Sequence, residues 1–403
     1  MDSGGGQKCK YRAKYFDYEK GIVSYHCPRP AVTDKGFCEF HDPDYWREHK
    51  AEVRHKFERI VERALKEKEK LLCIGFHLPS VTVKGQFEKP VYFSGAKFHE
   101  RAVFSDAEFH ERADFSDAKF SSEALFVHTR LIFSTEDYDQ DRDVLDGNCV
   151  SFRYAEFLKP SRVAFDNVYL GRVSFVNCNI ERVNFRNVVW RERGNRYVAF
   201  DEELLAAKAK RELGGGLEEK YSHLLEDITL VDVLGVYRRL RENYDYNLRY
   251  VESGKFFISE MEVRRQYREV SVRARRGLSK IIERKCVYNS WLRRNISITN
   301  LYRVLCNYGE DHIKPLLWSL LTIVGFALLR LLLSCPNVRE TTTSVSPSKV
   351  LSAFSSALEE SVRAFFQMGG TTGVDLVERL LAALVFGVLM ISLRRKFERR
   401  FRH

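Results

Sequence analysis

FSGAKFHERAV, FSDAEFHERAD and FSDAKFSSEAL follow one another over residues 93–125, one eleven-residue unit written three times. Large apolar side chains recur at Phe93, Phe98, Phe104, Phe109, Phe115, Phe120 and Phe126, in steps of five and six. A second run, Phe165, Leu170, Phe175, Ile180, Phe185 and Trp190, keeps a strict step of five. Two positions before each large residue sits a small or β-branched one, such as Val91, Ala96 and Ala102, or Val173, Cys178 and Val183. Neither spacing fits the 3.6 period of a helix or the period of 2 of a strand. A fixed short period instead marks a solenoid. Two inward residues in every five, with one outward residue between them, describe a short extended segment followed by a turn. Four such segments make a square coil, stacked on the next at about 4.8 Å.

This pattern resembles the pentapeptide-repeat family. The resemblance implies a right-handed quadrilateral β-helix, expected over residues 79–200, with the large residue at the centre of each five. Between the two runs, STEDYDQDRDVLDGN from Ser134 breaks the period and reads as a loop excursion. Its carboxylates lack the ligand order of a calcium loop. The inward residues are committed to packing, so no chemical site is expected on the ladder. His99 and His110, eleven residues apart, read as repeat surface.

The 403 residues carry a formal charge of +11 with 30% charged side chains, and basic residues concentrate in 264–294 and 394–402. Nine cysteines at irregular spacing point to a reducing compartment, not a disulfide scaffold. The opening residues have no apolar core, so no secretory leader is expected. No Ser/His/Asp set, nucleotide fingerprint or HExxH motif is present, and no catalysis is expected.

Residues 1–45 hold Cys9, Cys27, Cys38 and His41, the last two in the string CEFH. Three thiolates and one imidazole satisfy a tetrahedral zinc ion and leave no open position, which makes a structural site. So small a segment cannot bury enough apolar surface to fold alone, which makes such a staple reasonable. His26 is an alternative ligand, and reduced cysteines in a flexible leader are the alternative to a metal. Residues 46–78 read as a charged amphipathic helix that caps the first coil, because an open solenoid end exposes unpaired backbone groups.

Residues 201–299 read as an α-helical linker module, with a hinge at Gly214–Gly216 and a helical hairpin broken at Gly254. Its string YRRLREN…GKFFISEMEVRR resembles the module that follows the repeats in membrane-associated pentapeptide-repeat proteins. Residues 315–335, PLLWSLLTIVGFALLRLLLSC, have the length and apolarity of a transmembrane helix, with Arg330 close enough to one end to reach the headgroups. Residues 380–393 form a shorter second candidate that needs tilt or local thinning. The basic tail after it, with Arg394, Arg395, Lys396, Arg399 and Arg400, reads as lipid-facing and cytoplasmic. A hairpin then leaves both termini in the cytoplasm, in a multi-pass cell-membrane protein. The cluster at 264–294 becomes juxtamembrane, where anionic lipid suits it better than nucleic acid.

Between the candidate spans, an amphipathic helix runs into Met368, Gly369, Gly370, Thr371, Thr372 and Gly373. Over residues 300–403 the order of span, short helix, Gly-rich loop and span resembles the two-transmembrane ion-channel family. The lead-in NLYRVLCNYGEDHIKPLLW resembles the segment before the first span there. The resemblance implies a re-entrant pore helix, a filter at Met368–Gly373, a homo-oligomer (a tetramer by analogy) and an inorganic ion, expected to be a cation, as permeant. TVGYG is absent, so potassium selectivity does not carry over. Glu359 and Glu360 would face a wet vestibule. The competing expectation is a non-conducting, membrane-anchored scaffold or sensor that uses the β-helix for protein interaction. A DNA-mimic role, known among pentapeptide-repeat proteins, needs an acidic soluble rod, and this chain is basic.

Overall fold

The computed structural model describes residues 7–17, 20–131, 149–212, 225, 228–276, 279–333, 347–368 and 372–400. The aspartate-rich excursion from Ser134, the Gly214–Gly216 hinge, and Gly369, Gly370 and Thr371 lie outside them. The chain divides into two compact units, Met1–Asn289 and Ser290–His403.

The first unit is built on a β-solenoid of about four turns. Its two- to four-residue strands form four parallel sheets, one per face, and in the first run of the ladder facing residues on successive turns stand 22 residues apart, as Gln86 does from Glu108. Two eleven-residue units therefore make one turn. Val91 lies beside Ala113, and Phe98 beside Phe120. The ladder stacks in the interior: Phe98 on Phe120 at 4.6 Å, Phe104 on Phe126 at 4.9 Å, and Phe126 on Phe165 at 4.8 Å, all with nearly parallel rings. These separations match the interstrand spacing, so backbone hydrogen bonding and ring stacking hold the same register.

Both ends of the solenoid are covered. At the start, helix Lys50–Glu67 buries Val53, Phe57 and Val61 against the first turns, and Arg54 Nε donates to the Ser80 carbonyl at 2.9 Å. The first strand, Leu71–Leu72, already pairs with Val91–Tyr92, so the solenoid begins before residue 79. Its opening turn uses Leu and Val where later turns use Phe, which hid it from the repeat count. At the far end, Asn243 Nδ2 donates to the carbonyls of Ile180 and Val183 at 2.8 and 2.7 Å, and Arg249 donates to that of Phe185 at 2.9 Å. The Asp201 carboxylate accepts from the Phe175 amide at 3.1 Å. Side chains thus satisfy backbone groups that a further turn would otherwise pair. Trp190 Nε1 donates to the Tyr244 hydroxyl at 2.7 Å, which ties the last ladder residue to the cap.

That cap contains helices Phe200–Glu212, Leu230–Tyr246 and Tyr250–Gln266. The hairpin breaks at residues 247–249, where Leu248 takes φ +61° and Asn247 Nδ2 caps the Asn243 carbonyl at 2.9 Å. Gly254 is buried inside the second helix, which corrects the expected break. The stretch read as wholly helical also contains an antiparallel strand pair, Tyr267–Arg276 with Ser279–Tyr288. Its sequence explains the correction. EVSVRA alternates polar and apolar with period 2, and β-branched residues favour extended backbone.

The second unit contains the short helix Ile298–Cys306 and three longer ones, Ile313–Leu333, Pro347–Phe365 and Gly373–Arg400. The middle helix packs against both of its apolar neighbours. Among the described residues, two helices are long and apolar enough to cross a membrane, Ile313–Leu333 and Gly373–Phe397. Only 11% and 22% of their most apolar windows are buried by the rest of the chain, which is not the burial of a core helix.

Candidate metal centre and the charged cluster of the apolar helices

Extended backbone brings Cys9 and Cys27 onto the inner side of the N-terminal hairpin, and the turn after Cys38 brings His41 back beside them. The four ligand atoms all lie within 4.8 Å of one another, and all four residues are buried. Cys27 Sγ is 3.8 Å from Cys38 Sγ; His41 Nδ1 is 3.2 Å from Cys38 Sγ and 3.6 Å from Cys9 Sγ. A tetrahedral ion bonded to sulfur at about 2.3 Å and nitrogen at about 2.0 Å sets these separations at about 3.8 and about 3.5 Å. The residues fit such an ion.

The surroundings orient the imidazole. His41 Nε2 donates to the Ile74 carbonyl at 2.9 Å, leaving Nδ1 as the acceptor that faces the thiols. Tyr11 stacks on the same ring at 3.8 Å. Gly75, at φ +67°, passes under Tyr11 where a Cβ would collide with the phenol hydroxyl. Hydrogen bonding from Cys38, aided by His41, lowers the pKa of the Cys27 thiol to about 4, whereas that same bond and burial push Cys38 up. His26 is exposed and outside the cluster, so the alternative ligand is not brought in. Nearby Cys73 is also outside it, and burial pushes its thiol up.

A second cluster joins the three longer helices of the C-terminal unit. Arg330 Nη2 lies 2.6 Å from Asp375 Oδ1, and Nη1 lies 2.7 Å from Glu378 Oε2. All three residues are buried, Glu378 completely. The Ser361 hydroxyl sits between the Glu378 carboxylate and the Ile323 carbonyl, the latter at 2.8 Å, and donates to one at a time. The sequence alone sends Arg330 toward the headgroups. It turns inward, where Asp375 takes a charge-assisted hydrogen bond and Glu378 supplies a second opposite charge. Sequence reading missed Asp375, Glu378 and Ser361. The usable signal was an opposite charge near the matching ends of two apolar segments joined as a hairpin.

Of the loop residues expected to form a filter, Met368, Thr372 and Gly373 are described. Met368 is exposed; its amide donates to the Arg363 carbonyl at 2.6 Å, ending the middle helix. The Thr372 amide and hydroxyl donate to Asp375 Oδ2 at 2.9 and 2.6 Å, and the Asp375 amide returns a bond to Thr372 Oγ1 at 3.3 Å. Thr372 is thus the N-cap of the second apolar helix, with Gly373 its first residue. Glu359 and Glu360 are exposed on the middle helix; Glu359 pairs with Arg363 at 2.7 Å, and Glu360 approaches Arg330 at 4.0 Å. In the tail, Arg395 donates to the Tyr308 carbonyl at 2.9 Å and pairs with Glu310 at 3.2 Å, which corrects its reading as lipid-facing. Lys396 leans to His312 at 3.4 Å. A local carbonyl and carboxylate outcompete solvent for Arg395. Arg394 lies on the same helix, as do Arg399 and Arg400, whose side chains fall outside the described residues.

The family model for pentapeptide repeats (9 copies) matches residues 86–130, inside the solenoid. No curated protein and no solved structure matches the chain. The ladder is a pentapeptide-repeat β-solenoid, and two helices beyond it are apolar enough to span a membrane.

Proposed function

We propose that the chain is a multi-pass membrane protein whose C-terminal units assemble around an ion pathway, with the solenoid and both termini in the cytoplasm. The observation that carries this reading is the outer face of the middle helix. Glu359, Glu360, Arg363, Ser355 and Ser356 are exposed on a helix held between two helices whose exposed residues include Leu316, Leu320, Leu332, Leu380 and Phe386. Hydrocarbon does not tolerate such a face, so it needs water at that depth. Two spans cannot enclose water, and several copies in a ring can. Carboxylates lining the vestibule favour a cation. Purified protein in proteoliposomes should pass monovalent cations, and Glu359→Gln/Glu360→Gln should reduce that flux. A monomeric mass with no flux sinks the reading.

One observation favours the non-conducting scaffold instead: the Thr372 hydroxyl donates to Asp375 and accepts from its amide, a helix-capping role that accounts for it without an ion. Flux that survives Thr372→Val weighs against a filter role for that hydroxyl; absence of flux in an intact oligomer leaves the scaffold. We assign no catalytic role. The Cys9, Cys27, Cys38 and His41 cluster we take as a structural zinc site, which would staple the N-terminal hairpin to the first turn of the solenoid. Metal analysis should find about one zinc per wild-type chain and a loss in Cys38→Ser.

A further inference from the structure

Around strand Arg12–Asp17 the chain alternates in a way the metal cluster does not use up. Cys9 and Tyr11 face inward, to the ligand cluster and the His41 ring, while Lys8, Lys10 and Arg12 are exposed on the other side. His26, the register partner of Arg12, stands beside them. Together with Cys9 and Cys27 they line an open groove of about 450 Å³. Among the described residues, Lys8, Lys10 and Arg12 have no carboxylate partner. Their neighbours do: Arg29 faces Glu39 at 3.7 Å, and Lys35 is shared between Asp42 at 3.2 Å and Asp44 at 2.8 Å.

The charge count decides what such a groove takes. Three thiolates around a divalent ion leave one negative charge, which a single cation offsets. Three cations then leave a surplus of about two positive charges with the ion bound. The Lys10 side chain crosses Gly36 (φ +78°), where a Cβ would come within 2.7 Å of Lys10 Cε. Arg12 offers a planar fork suited to oxyanions, and the two lysines offer mobile point charges.

We propose that this groove binds a phosphate dianion, as inorganic phosphate or as the phosphomonoester of a small solute or a lipid headgroup. Its volume falls within the usual range of about 300–1,000 Å³ for small-molecule sites, so there is room for the group that carries the phosphate. The groove is open and lined by cations that, among the described residues, carry no carboxylate partner.

The test uses the full chain, zinc-loaded, in detergent micelles at about 0.15 M ionic strength, where nonspecific attraction is screened. Calorimetric titrations would compare inorganic phosphate, glycerol 3-phosphate and dihexanoyl phosphatidic acid. Saturable binding of at least one is expected. Lys8→Ala/Lys10→Ala/Arg12→Ala should weaken it about tenfold or more while zinc content stays at the wild-type level. Binding of the soluble phosphates identifies a free solute as the source; binding of phosphatidic acid alone identifies the headgroup. Should the triple variant lose zinc, Lys10→Glu alone carries the comparison, with Lys10→Arg retaining affinity. The proposal is overturned when none of the three ligands saturates or when the variants bind as wild type does. It is equally overturned when a DNA duplex binds more tightly than all three and responds to the same substitutions.

Discussion

Phe104 and Phe126 stack at 4.9 Å in the middle of the solenoid, while Lys97 and Arg130 stand outside it. In the C-terminal unit Arg330, Asp375 and Glu378 occupy the middle, while Leu316, Leu320, Leu332 and Phe386 stand outside. The same chain thus places its apolar atoms on opposite sides in its two units. In the first, burial of apolar surface from water drives the packing. In the second that force is absent between helices if lipid surrounds them, and packing with polar contacts must hold them together. The contrast teaches that the two units should fail under different substitutions.

The largest effect is expected in the ladder. Phe115 is fully buried and stacks on Phe93 and Phe152 at 5.3 and 4.9 Å. Phe115→Ala should cost about 3–5 kcal/mol through lost transfer energy and the cavity left behind. Leu320→Ala, on the exposed face of the first apolar helix, should cost little in detergent. Chemical denaturation of both variants in one detergent makes the comparison. Equal losses would mean that the outer leucines are packed against protein, contrary to their role as a lipid-facing surface.

Next comes the charged cluster. Arg330→Met removes the cation that faces two buried carboxylates, and about 3 kcal/mol should be lost because those charges are left uncompensated. Replacing all three members with Arg330→Met/Asp375→Asn/Glu378→Gln should recover most of that loss, since a neutral site carries no unpaired charge. Limited proteolysis and thermal unfolding of the C-terminal unit read the difference. A single variant as stable as wild type would show that the cluster is solvated and the inside-out comparison too simple.

These residues also separate what a linear pattern carries from what only packing decides. Phe93, Phe104, Phe115 and Phe126 stand out in the sequence because a coil of fixed length repeats its inward positions at a fixed step. Cys38 and His41 are legible because a metal site would restrict both residue type and local spacing. Arg330 with Asp375 and Glu378 is not, since that contact depends on how helices pack across a long separation in sequence. Nor is the groove at Lys8, Lys10 and Arg12: three alternating cations look like a solvated strand face until their carboxylate partners are sought. The strand pair from Tyr267 is hidden by its many basic residues, which suggest a helix despite the period of 2.

The smallest expected effect concerns the solenoid surface, where polar groups should meet water freely if the contrast were complete. His77 and His99 break that pattern. His77 Nδ1 lies 3.0 Å from His99 Nε2, and Trp46 stacks on His99 at 4.1 Å. Burial, helped by the charge of Lys97, depresses the pKa of His77 to about 3 and that of His99 to about 4 from the usual 6.5. The unfolded chain therefore takes up protons as pH falls below about 6.5, while the folded chain resists until about pH 4 and then about pH 3. Stability is fully present above pH 6.5 and falls as pH drops through that window. Thermal unfolding between pH 7 and about 4 should show the decline in wild type, with a shallower slope in His77→Gln/His99→Gln. Parallel slopes in the two proteins would assign the acid sensitivity to carboxylates elsewhere and return His99 to an ordinary place on the repeat surface.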